Sequence, residues 1–130
     1  MNLQDTALVA AGVIGAGTAI LHGVLMQKFM VAPVDRRLKR DGAVSRQIRM
    51  LVASVLQYST FSWLIGGLTL IVAALWLEPQ ARLALSLLVG AGYAYGVVAN
   101  CWATRARHPG WMLLALSAGL TVAGNLGLPT

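Results

Sequence analysis

The chain has 130 residues, 58% of them apolar and 11% charged, with a mean hydropathy of +0.71 and a net charge of +6. About a quarter of a soluble domain is charged, and a small domain keeps too much surface for its volume to hide such an apolar excess. Composition therefore excludes a water-soluble globular fold, and the basic residues lie between apolar runs rather than on one face, which excludes a nucleic-acid partner.

The first apolar run extends from Thr6 to about Val31, interrupted only by Thr18, His22 and the pair Gln27-Lys28. Met1 to Asp5 lack the positive region of a signal peptide and the run is too long for one, so it reads as a retained span. A basic connection follows at 32–49, with Arg36, Arg37, Lys39, Arg40, Arg46 and Arg49 against Asp35 and Asp41. The second run covers about 50–77 and stops at Glu78-Pro79, since proline cannot continue the hydrogen-bond ladder. The third covers about 81–103, behind a short, near-neutral turn that contains Glu78 and Arg82. After a second basic connection with Arg105, Arg107 and His108, the fourth begins at Pro109 and ends near Leu128. Each run meets the requirement of about 20 residues for crossing a bilayer as a helix.

The expected fold is all-α: one transmembrane domain over residues 1–130, a four-helix bundle with four crossings. Basic connections stay on the cytoplasmic side, so both termini face outside, and the expected location is a bacterial inner membrane. The lone Cys101 excludes an intramolecular disulfide.

Helices in lipid associate where small residues let backbones approach. Every run has such a stripe: Gly12, Ala16, Ala19 and Gly23, with Gly15 beside them, in the first; Ser59, Ser62, Gly66, Thr69 and Ala73 in the second. Gly92 and Gly96 form a G-x-x-x-G pair in the third, continued by Ala99 and Ala103, and Ser117, Thr121 and Gly124 share a face of the fourth. The stripes suit a compact bundle that packs against copies of itself or within a larger membrane complex.

Polar positions fall mostly in the cytoplasmic half. His22, Gln57, Tyr58, Ser59, Thr60, Tyr93, Tyr95 and Asn100 are the candidate lining of a small pocket open to the cytoplasm, with His22 as its titratable member. The alternative for His22 and Asn100 is a plain hydrogen bond between helices. The outer half is expected to be drier, with Thr69, Thr121 and Asn125 as its main polar groups. Arg36, Arg37, Lys39, Arg40, Arg49 and Arg105 are candidate contacts for anionic lipid or another anion, besides fixing topology. Two histidines and one cysteine at unrelated positions support no haem, metal or thiol chemistry, so no cofactor is expected. No run contains a carboxylate, which argues against a small proton-coupled exporter.

The stretch from Arg49 to Gln57-Tyr58, then Tyr93 or Tyr95, Arg105 and Pro109-Gly110, resembles the second-helix and third-to-fourth-helix motifs of the MAPEG proteins of glutathione and eicosanoid metabolism. They share the short four-helix layout and the basic first cytosolic loop. The resemblance implies a trimer that holds glutathione between subunits near the cytosolic side. Gln57 stands in place of that family's glutamate and Ser54 in place of its asparagine. The leading expectation is a non-enzymatic accessory or scaffold subunit. A MAPEG-like protein binding glutathione or a lipophile, and a small transporter using His22, are the alternatives.

Overall fold

The computed structural model describes residues 2–126, and every regular element among them is helical. Helix α1, Leu3–Met26, opens with a reciprocal cap in which Asn2 Oδ1 accepts from the Asp5 amide at 2.8 Å. The Asp5 carboxylate in turn accepts from the Asn2 amide at 3.1 Å. The chain does not leave the helix at Val31, as the apolar run suggests. It makes one wide π turn at Gln27–Val31 and continues as α2, Ala32–Arg40. The wide turn comes just before Pro33, whose ring would collide with the carbonyl four residues back in a regular α-helix. Arg37, Lys39 and Arg40 fill the last turn of α2, where positive charge suits the helix dipole.

Helix α3 runs from Arg46 to Trp76, starting four residues before the expected 50 because Ser45 caps it: its hydroxyl accepts from the Ile48 amide at 3.3 Å. Helix α4, Pro79–Thr104, takes its proline in the first turn, where the missing N–H costs nothing. It ends with Arg105 and Ala106 both at positive φ, 50° and 59°. Helix α5 covers Gly110–Ala123 and is shorter than the 109–128 read from the sequence. Gly124 to Leu126 form a turn rather than helix, and residues 127 and 128 lie outside the described residues.

The rod from Leu3 to Arg40, α3 and α4 are each long and apolar enough to cross a membrane; α5, at 14 residues, is not. Helix α1 packs against α3 and α5, and α4 closes the ring by packing against the same two, with the α3–α4 side the looser of its two seams. The interior is narrow, built from Leu8, Ala11, Ala19, Leu70, Ala73 and Leu114 around the buried ring of Tyr93. Large apolar side chains instead cover the outside: Leu51, Val55, Phe61, Leu68 and Leu75 stand exposed along α3 alone. Trp76 and Trp102 stand exposed near opposite ends of the bundle.

Helices α1 and α3 cross with their backbones in contact. A Cβ on Gly67 would lie 2.5 Å from the Gly12 carbonyl oxygen and 2.7 Å from the Ala16 amide nitrogen. The small-residue stripe of the second run contains Gly66 but passes over Gly67, the residue at that crossing. Gly15 accommodates the phenol of Tyr93, Gly23 lies against Thr60, and Gly124 against Leu8 and the Gln4 carbonyl.

The end of the bundle where α1 begins and α5 ends is not dry. Arg82, only 6% exposed, donates through Nη1 to Asp5 Oδ1 at 2.6 Å and through Nη2 to the Gly124 carbonyl at 2.8 Å. One guanidinium therefore ties together the start of α1, the start of α4 and the end of α5. Gln4 also donates to the Leu126 carbonyl. The expectation that polar groups gather at the other end missed this cluster, because Arg82 and Asp5 sit at run boundaries and count there as loop charges.

Candidate functional site

The looser α3–α4 seam opens into a groove along the side of the bundle. It consists of a hollow of about 590 Å³ and another of about 330 Å³ nearer the basic connections. Both are bordered by Tyr58, Ser62, Trp63 and Gly92, so they form one continuous feature. One large ring bridges the two helices at this seam. The Trp63 indole lies across the gap against Gly96, where a Cβ would come 2.6 Å from Cζ2. One turn earlier on α4, Gly92 has no neighbouring atom within 4 Å of where its Cβ would be. Ser59, Ser62 and Gly66 of the second small-residue stripe and Gly92, Gly96 and Ala99 of the third thus stand on the two walls of a partly open trough.

Five of the eight expected pocket residues border the half nearest the basic connections: His22, Tyr58, Ser59, Tyr95 and Asn100. His22 Nε2 and Ser59 Oγ share a hydrogen bond of 3.2 Å, and the imidazole is tilted against Trp63 with ring centroids 4.7 Å apart. Asn100 does not bridge helices; its amide donates to the Gly96 carbonyl, one turn back on α4, at 2.8 Å. Tyr58 and Tyr95 stand at the rim, both strongly exposed. Tyr93 borders the other half of the groove and is 1% exposed, its hydroxyl donating to the Trp63 carbonyl at 3.2 Å.

Gln57 and Thr60 face away from the groove. The Gln57 amide donates to the Gly23 carbonyl at 3.2 Å and to Gln27 at 3.3 Å, and Thr60 donates to Gln57 Oε1 at 2.9 Å. Both belong to the α1–α3 seam. Of the residues behind the MAPEG resemblance, Tyr58, Tyr93 and Tyr95 border the groove. Arg49 faces a separate hollow, Gln57 is engaged with α1, and Arg105 is exposed in the turn after α4. Those side chains do not converge on one ligand position.

Chemically the groove offers a long apolar surface with hydroxyls, one amide and one imidazole towards one end. The imidazole makes no hydrogen bond to a carboxylate among the described residues, so the Ser59–His22 pair lacks the third group that orients a general base. Nor do the described residues bring three His, Cys, Asp or Glu side chains together. No family model, curated protein or solved structure matches this chain.

Proposed function

We propose that the chain is an integral membrane protein whose four helices all cross the bilayer, with the basic connections on the cytoplasmic face and both ends opposite. In that setting it serves as a non-enzymatic packing subunit, joining copies of itself or a larger membrane assembly through the α3–α4 groove. One observation carries the reading: around Gly92 the α3 and α4 walls, with Ser59, Ser62 and Ala99 beside it, stand open rather than closed on each other. In lipid such surfaces gain by close approach of another helix, because apolar bulk alone gives helices no reason to associate.

The mass of the protein particle in mild detergent tests this. Wild-type chain should run as a fixed oligomer or with a stoichiometric partner. Gly92→Leu, which places a side chain in open space, should reduce it to a single chain with its helix content unchanged. A wild-type monomer of undiminished stability contradicts the proposal. The hydrogen-bonded His22–Ser59 pair favours a second reading, in which the groove holds an apolar small molecule by its polar end. Under that reading Gly92→Leu leaves the oligomer mass unchanged and displaces co-purifying lipid.

A further inference from the structure

A second hollow, of about 530 Å³, lies between α2 and the first turns of α3. Arg36, Arg46 and Arg49 stand around it against a single acid, Asp35, and Arg49 Nε lies 3.2 Å from the Asp35 carboxylate. Among the described residues neither Arg36 nor Arg46 makes an ion pair. Val31, Met50 and Ala53 supply an apolar wall. The hollow also lies beside the start of a 31-residue helix, and the Ser45 cap engages only the Ile48 amide among the first-turn donors.

Its position matters as much as its charge. Phe29 and Met30 on one side, and Ile48 and Met50 on the other, are exposed apolar residues beside the charged connection. The hollow therefore straddles the boundary where the apolar belt gives way to charge. A ligand that fills it needs an anionic head and a hydrocarbon body together.

We propose that this hollow binds the phosphate headgroup of an anionic membrane phospholipid, Arg36 and Arg46 contacting the phosphate while the acyl chains run along the wall of Val31, Met50 and Ala53. The proposal rests on the bilayer placement given above. Free inorganic phosphate shares the head chemistry but would leave the apolar wall uncovered.

The test titrates phosphatidylglycerol into detergent-solubilised protein and counts bound lipid by native mass spectrometry, with phosphatidylcholine as the neutral comparison. Phosphatidylglycerol should be retained preferentially. The pair Arg36→Ala/Arg46→Ala should weaken it roughly 25-fold, about fivefold for each charge near the surface. Lys39→Ala/Arg40→Ala removes the same charge from positions that do not line the hollow and should weaken retention distinctly less, through diffuse attraction alone. Equal losses in the two pairs would reduce the effect to diffuse surface attraction and overturn the site. Phosphatidylcholine bound as tightly, or inorganic phosphate raising the melting temperature as much as the lipid does, overturns it too. A carbonate wash keeps the two proposals separable. Chain that remains in membranes yet shows no preference loses only the lipid site, whereas chain released by carbonate loses the bilayer placement as well.

Discussion

Gly67→Val should give a chain whose helices no longer hold together in detergent. A Cβ there meets the Gly12 carbonyl, the Ala16 amide and the Ala16 Cβ, the last at 2.9 Å. Two of these are backbone atoms of the facing helix, so no rotamer change relieves the collision. Overpacking costs about 1–3 kcal/mol where side chains give way, and a contact against backbone belongs at or above the top of that range. Moving α1 and α3 apart also stretches the Gln57–Gly23 and His22–Ser59 hydrogen bonds, which lie on the same seam. Thermal unfolding followed by circular dichroism should show a large drop in Tm. Gly92→Ala, with nothing within 4 Å, should leave the isolated bundle close to wild type. Equal behaviour of the two variants contradicts a backbone crossing at Gly67.

Arg82→Ala should have the next largest effect. The guanidinium is shared between a carboxylate and a helix-terminal carbonyl, and its side chain is 8% exposed. Deleting a charged donor of this kind costs about 2–3 kcal/mol, because the Gly124 carbonyl loses its donor and Asp5 its counter-charge. Arg82→Lys should recover only part of this, since one ammonium cannot reproduce the two-pronged geometry. Asp5→Asn keeps the shape but leaves one acceptor for two donors, so it loses either the bond from the Asn2 amide or that from Arg82; the Gly124 carbonyl keeps its donor, so it should be milder than Arg82→Ala. The loss should appear first at the short α5, as faster hydrogen exchange of its last turn; uniform exchange across all four helices would contradict the clamp.

The helices were legible because hydropathy reports them directly, as long apolar runs with a break at Glu78-Pro79; the proline reads there as a stop, whereas it also forms the first turn of α4. The π turn was not, since Gln27–Val31 continues an apolar run whether its turns are wide or regular. The early end of α5 was hidden for the same reason, Leu126 being as apolar as the helix before it. Choosing between Gly66 and Gly67 needs the rotation of α3 about its axis. Neighbours on a helix point about 100° apart, so a small error in facing swaps them. The same angle sends Gln57 and Thr60 towards α1 while Ser59, Ser62 and Trp63 border the groove. Asp5 and Arg82 were visible as charges at run ends on the same side. Only the meeting of α1, α4 and α5 makes them partners, and spacing along the chain carries no trace of that.

The short α5 makes its crossing the step on which the bilayer placement depends. A helix of 14 residues rises about 21 Å against about 30 Å of hydrocarbon, a mismatch that local thinning of the bilayer can absorb. In a Cys101→Ser background, single cysteines at Leu3, Ala43 and Leu126 can be tested in intact cells with a membrane-impermeant maleimide. Four crossings require Leu3→Cys and Leu126→Cys to label from outside and Ala43→Cys only after permeabilisation. Labelling of Leu3→Cys and Leu126→Cys from opposite faces would mean that α5 does not cross.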